Sequence, residues 1–142
     1  MPIRCEIVSQ DRVVFSGDVD IVVLPGSDGV MGILPNHSPV LTTLNYGIIT
    51  VRQKSGEQVF TVAGGVAEVQ PDQVTVLADA AENVLEIDVQ RADEARRRAE
   101  EALKADVSPD SDRYLRLQAA LKRSNLRLDA ARKYRGGTRF RE

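Results

Sequence analysis

Apolar and polar residues alternate over short runs in the first half of the chain, and each run is closed by turn formers, a pattern that predicts strands. Val74-Thr75-Val76 shows the period of two most cleanly. Strands are expected at 3–9, 12–16, 19–24, 40–44, 47–53, 58–63, 66–70 and 73–78. Between them stand Ser16-Gly17-Asp18, Pro25-Gly26-Ser27-Asp28-Gly29, Ser55-Gly56-Glu57, Gly64-Gly65 and Gln70-Pro71-Asp72, whose backbones suit tight connections. Strands spaced by roughly 8–12 residues point to a sandwich or barrel rather than an alternating strand–helix fold. Phe15, Tyr46 and Phe60 are the only aromatics here, so the core must be built from Val, Ile and Leu.

The pattern changes near Ile87. From 88 to 105 there is neither Gly nor Pro, and the strong helix formers Ala, Glu, Arg and Leu dominate. Asp88 is placed to cap this helix. Ala92, Ala95, Ala99 and Ala102 recur at spacings of three and four, a stripe of small residues that lets a second helix approach closely. Residues 106–110 break the helix, and Ser108-Pro109 reads as a restart with proline near the first turn. A second helix is expected to about Tyr134, with Leu117, Leu121, Ser124, Leu128 and Ala131 on one face and Gly136-Gly137 ending it. A short connection makes the pair antiparallel. The expected architecture is therefore an all-β sandwich N-terminal domain, residues 1–86, followed by an antiparallel two-helix hairpin, residues 87–142. Each large aliphatic side chain contributes only ~1.5–3 kcal/mol on burial, and this seam has few of them. The hairpin is either an arm able to open and exchange partners or a permanently docked element.

Charge divides at the same point. Before Asp88 there are 4 Lys/Arg against 11 Asp/Glu, net −7, and from Asp88 onward 15 against 10, net +5. The two parts could attract each other, the basic part could seek an acidic or phosphate-bearing partner, or the helices could simply be solvated and Arg-rich. Hydrophobic residues at 42% and charged residues at 28% fit a soluble globular chain. The longest apolar run, Ile21-Val22-Val23-Leu24, is too short to span a bilayer, and the first residues lack a signal-peptide pattern. Cys5 is the single cysteine, so a reducing, cytoplasmic setting is expected.

Little here suggests catalysis. His37, in the loop Pro35-Asn36-His37-Ser38-Pro39, and Cys5 are each the only residue of their type, with no third group to orient them. Metal binding fails on ligand number, and no GxxxxGK[ST] phosphate loop occurs. A non-catalytic role without a required cofactor is expected. One constellation could hold an anion: Arg123 and Arg127 lie four apart on the second helix, and Arg91 and Arg98 seven apart on the first, with Asp88 one turn earlier. In an antiparallel pair their guanidinium groups could converge on a phosphate chain, or could simply remain in water. The run Lys122-Arg123 and the basic tail 132–141 could suggest nucleic acid, but the acidic β part and the lack of a recognition motif argue against it.

Taken in order, Phe15-Ser16-Gly17, Leu24-Pro25-Gly26, Gly32-Ile33-Leu34-Pro35-Asn36-His37-Ser38-Pro39, Leu41-Thr42-Thr43-Leu44, Gly64-Gly65-Val66-Ala67-Glu68-Val69, Val76-Leu77-Ala78-Asp79 and Ile87-Asp88-Val89-Gln90-Arg91-Ala92 resemble the epsilon subunit of F-type ATP synthases. The resemblance covers nearly the whole chain and is weakest after Tyr134. It implies a sandwich seated on the central stalk beside the gamma subunit and against the c-subunit ring, peripheral to the cytoplasmic face of the bacterial membrane. It also implies a hairpin that folds on the sandwich or extends to inhibit ATP hydrolysis by the alpha/beta catalytic hexamer. In some members ATP, as a regulatory ligand, is bound by an Ile/Leu-Asp-x-x-Arg-Ala motif, which Ile87, Asp88, Arg91 and Ala92 match. Glu82 matches a preceding acidic contact, Arg98 a first-helix arginine, and Arg123 and Arg127 the paired arginines of the second helix. Ser9, the loop tip Val30-Met31 and His37 match positions facing gamma or the c ring, with Val30 standing where an acidic residue is common. The competing reading is a stand-alone nucleotide-sensing or scaffold module.

Overall fold

A computed structural model describes residues 2–105 and 108–135. The expected helix stop at Gly136-Gly137, the tail beyond Arg135 and part of the connection, Asp106 and Val107, lie outside the described residues. The chain divides into two compact units, one ending at Val84 and the other beginning at Leu85.

The first unit is a β-sandwich of eight strands: β1 (Ile3–Val8), β2 (Val13–Val19), β3 (Ile21–Gly26), β4 (Gly29–Ile33), β5 (Val40–Gln53), β6 (Gly56–Val69), β7 (Gln73–Ala78) and β8 (Ala81–Asn83). They join in the order β2-β1-β7-β6-β5-β3-β4, with β8 also on β6. The β1–β7 pair is parallel and the other pairs are antiparallel. Alternation sets the faces: Ile3, Cys5 and Ile7 of β1 and Val74, Val76 and Ala78 of β7 point inward. As expected, the core is aliphatic, with Phe60 as its largest fully buried side chain. Phe15 of β2 meets Phe60 edge-on, with centroids 5.6 Å apart. Near it, Gln53 Nε2 donates to the Asp18 carbonyl at 3.0 Å and the Asp20 amide to the Arg52 carbonyl at 2.7 Å, which ties β2 to the far end of β5.

Two pairs of expected strands are single long ones. Segments 40–44 and 47–53 form β5, and 58–63 and 66–70 form β6; the ladder runs from Val40↔Val69 to Gln53↔Gly56 and lapses only opposite Asn45 and Gly64. Gly64-Gly65 reads as a turn in the sequence but is a bend within β6. Its φ values are +90° and +138°, and a Cβ on Gly65 would lie 2.8 Å from the Ala78 Cα. Two strands escaped the pattern. β4 carries two glycines in five residues, which hides its alternation, and β8 is only three residues long.

In the second unit α1 (Val89–Lys104) and α2 (Asp112–Ala130) form an antiparallel pair. The expected seam is present: Ala92, Ala99, Ser124 and Ala131 are buried, while Ala95, Ala102, Leu117, Leu121 and Leu128 are half-buried. The expected restart at Ser108-Pro109 is corrected. Those residues form a turn, in which the Ser111 amide donates to the Ser108 carbonyl at 3.1 Å, and Ser111 is the cap, accepting from the Tyr114 amide at 3.1 Å. Proline suits the second position of such a turn, and Ser111 has the oxygen that a helix start needs. Beyond α2 the chain widens into a π-helical turn, Ala131–Arg135. No described helix is long and apolar enough to cross a membrane.

Two measurements check this unit-by-unit picture. Gly65→Ala should lower stability by about 2–3 kcal/mol in urea unfolding, since it meets both a positive φ and backbone contact. Gly29→Ala, with open space around it, should cost about 1 kcal/mol. Burial, with a smaller push from Glu6, raises the Cys5 thiol to about 12. Above the unfolded value of 9.0 the unfolded chain therefore holds fewer protons, so stability should fall as pH rises from 9 toward 12. Cys5→Ser should flatten that alkaline limb; a limb unchanged by the substitution would contradict the assignment.

Candidate functional site

Asp88 sits just before α1 with extended backbone, and its Oδ1 accepts from the Arg91 amide at 3.0 Å. Its carbonyl accepts from the Ala92 amide at 3.0 Å, so the capping expected from sequence is what this residue does in the fold. Ile87 is 3% exposed and Ala92 fully buried, which makes them structural members of the motif rather than surface groups. Arg91, by contrast, is exposed.

The arginines separate onto two flanks of the hairpin. Each residue advances about 100° around a helix. Arg91 and Arg98 each directly precede a buried seam residue, Ala92 and Ala99, and so lie about 100° to one side of the α1 seam. Arg123 directly precedes buried Ser124, and Arg127 lies about 60° to the same side of it. In an antiparallel pair that side is common to both helices, so the four predicted arginines share one flank. Ala95 and Ala102 on α1 and Ala120 on α2 lie beside them on that flank, and Glu94, three residues after Arg91 and four before Arg98, borders the α1 arginines on the outer side. Such a surface can attract a phosphate chain.

The opposite flank is of mixed charge. An open groove of ≈ 530 Å³ runs along it, lined by Val89, Asp93, Arg96, Asn125, Leu128, Asp129, Ala131, Arg132 and Arg135. None of the eight predicted ligand residues lines it. Here Arg96 bonds Asp93 at 2.7 Å and Glu100 at 2.9 Å, Arg97 reaches Asp93 at 3.0 Å, and Arg132 bonds Asp129 at 2.6 Å. The Arg96 hydrogen bond holds the Asp93 carboxyl below its ordinary value and, reciprocally, raises Arg96. The i,i+3 and i,i+4 spacings of these pairs were readable in the sequence, but the groove they border was not.

Glu82 lies in the first unit, half-buried on β8, where its carbonyl accepts from Thr61 Oγ1 at 3.5 Å. The predicted assembly residues are also there, and they do not form one patch. The sheet row Val8↔Leu77↔Val66↔Thr43 marks one end of the strands. Ser9 stands beyond Val8, its hydroxyl donating to Asp11 at 3.0 Å, and the β3–β4 turn is bound there through Ser27 N–H to the Thr43 carbonyl at 2.9 Å. At that turn Val30 is 79% exposed, while Met31 packs against the core. His37 lies toward the other end, because the Asn36 amide donates to the Pro71 carbonyl of the β6–β7 turn at 2.8 Å. Its Nδ1 is 2.7 Å from the Ser38 carbonyl. Among the described residues no His, Cys, Asp or Glu cluster could hold a metal ion.

Comparison with known proteins agrees with this layout. Residues 2–84 match the ATP synthase delta/epsilon chain β-sandwich domain, and residues 86–132 match the delta/epsilon chain long α-helix domain. The ATP synthase epsilon chain of Dehalococcoides mccartyi is 43% identical over 133 residues, covering 94% of each chain. That of Pelotomaculum thermopropionicum is 53% identical over 100 residues, 70% of this chain and 75% of the relative.

This chain belongs to the bacterial F-type ATP synthase epsilon family.

A solved structure with the same fold comes from the Euglena gracilis mitochondrial ATP synthase OSCP/F1/c-ring, with TM-score 0.74, 24% identity, and 92% of this chain and 81% of that chain covered. The Tetrahymena thermophila mitochondrial ATP synthase central stalk/c-ring gives TM-score 0.56 at 12% identity, covering 92% and 97%. For the epsilon-type hairpin, Asp88→Ala should cost about 1 kcal/mol and speed amide exchange in the first turn of α1, while Asp88→Asn should retain most of the cap. Equal losses in both variants would show that the carboxylate does something other than capping.

Proposed function

We propose that this epsilon-family chain is a rotor subunit that couples the catalytic head to the c ring and brakes ATP hydrolysis with its hairpin, with ATP as a regulatory ligand. The chain performs no reaction itself in this reading, and it sits on the cytoplasmic face of the membrane as a peripheral part of the complex. The observation that carries the regulatory part is the single flank of the hairpin shared by Arg91, Arg98, Arg123 and Arg127. Those guanidinium groups would hold the phosphates, while Asp88 would accept from the adenosine part. The same positive flank, with Arg116 and Lys122 nearby in sequence, would suit acidic surfaces of the alpha/beta hexamer once the hairpin opens. ATP would shift the equilibrium by the difference in its affinity for the two hairpin states.

The sandwich supplies the assembly part. Ser9 and the Val30–Met31 turn stand at one end of the strands and His37 at the other, an arrangement suited to touching gamma and the c ring with different ends. An apolar Val30 tip would pack on the ring rather than form a polar contact there.

Adding the purified chain to an epsilon-free catalytic complex tests this reading. Tight association and slower ATP hydrolysis are expected, and failure to associate with gamma would overturn the rotor assignment. In calorimetry with ATP, Arg91→Ala and Arg123→Ala should each weaken binding about tenfold or more, the loss expected of one charge-assisted hydrogen bond. Unchanged affinity in both would remove the phosphate clamp.

A further inference from the structure

The seam between α1 and α2 is a weak clasp. Its buried positions are Ala92, Ala99, Ser124 and Ala131, and the leucines along it are only half-buried. The ion pairs Asp93–Arg96–Glu100 and Asp129–Arg132 each lie within one helix and stiffen it without joining the two. Arg135 does join them. At the end of the π-helical turn its Nη2 donates to the Ile87 carbonyl at 2.5 Å, a bond between residues 48 positions apart.

That acceptor lies immediately before the Asp88 cap. Asp88 already serves α1 twice, through its carbonyl to Ala92 and its carboxylate to Arg91. The Ile87 carbonyl sits one residue outside that scheme, on a residue only 3% exposed. A guanidinium donor there makes a charge-assisted bond, stronger than a neutral one and strengthened further by low local polarity. The π-helical geometry that presents Arg135 is a rare backbone form that recurs at functional positions.

We infer that Arg135 is a latch: its bond to Ile87 forms only when the end of α2 lies against the root of α1, and it must break for the hairpin to open. Arg135 is a positioning residue rather than a ligand contact. The inference rests on reading the hairpin as a reversibly engaged arm and adds the bond that sets its closed state. It also orders the stretch from Ile87 to Ala92, so closure and formation of the proposed nucleotide site become one event. A ligand that needs the closed form then binds with an affinity scaled by the closed fraction.

Amide hydrogen exchange on the full chain, followed by NMR without nucleotide, tests the latch. Arg135→Ala should speed exchange about tenfold, the loss expected of one charge-assisted hydrogen bond, and should do so together in the last turns of α2 and the first two turns of α1. Arg135→Lys should restore part of the protection. Arg132→Ala removes only the intrahelical pair with Asp129 and should leave the α1 amides unchanged. Faster exchange confined to residues 131–135, or equal effects of Arg132→Ala and Arg135→Ala on α1, would overturn the latch. Amides of the sandwich core report in the same spectra that each variant is folded. Because ATP is absent, a negative result here leaves the nucleotide reading standing, and a chain that binds no ATP can still show the latch.

Discussion

The ladder between β5 and β6 is the constraint on which the first unit depends. It is the longest pairing in the sheet, and its two arms serve largely different neighbours: β7 and through it β1 on one, β8 and most of β3 on the other, with Gly26 of β3 crossing to Leu44. Both arms must bend at the same level for the sheet to close over itself. Gly64 and Gly65 make that possible, since their positive φ values and missing Cβ atoms let β6 turn while the Leu77–Ala78 backbone stays close. Val, Ile and Leu then fill an interior that has few aromatics, and Phe15 against Phe60 adds an aromatic contact at the β2 edge.

The second unit is held by the opposite economy. Small residues at the seam allow a close approach of two backbones but bury little apolar area, so cohesion is modest and single polar bonds carry weight. Caps at Asp88 and Ser111 define where each helix begins, and intrahelical ion pairs stiffen α1. The helices are thus individually well formed but weakly joined. The division of charge follows the same logic: one flank gathers Arg91, Arg98, Arg123 and Arg127, and on the other Arg96, Arg97 and Arg132 are bonded to nearby carboxylates.

These two kinds of cohesion fit an ATP synthase epsilon chain. A sandwich with a deeply aliphatic core holds Ser9 and Val30 at one end of its strands and His37 toward the other at a constant separation. A hairpin whose seam is made of small residues buries little apolar area and is only modestly held together.

Much of this was written in local patterns. The alternation of Val74-Thr75-Val76, the alanines at 92, 95, 99 and 102, and the carboxylate of Asp88 before a helix each act through neighbours in sequence, so strands, seam and cap could be read directly. The positions of Arg91, Arg98, Arg123 and Arg127 on one flank also follow, because helical period and antiparallel packing are enough to assign them. What the tertiary structure decided were the features that depend on distant backbone. Gly64-Gly65 is a bend rather than a turn because β7 lies against it, and Gly29–Ile33 becomes a strand only because β3 offers it a ladder. Ser111 rather than Ser108 starts α2 because a turn at Pro109 intervenes. The separation of Ser9 and Val30 from His37, the groove beside Arg96, and the bond from Arg135 to Ile87 join segments far apart in the chain. No local preference encodes such a meeting; only packing brings those groups within reach.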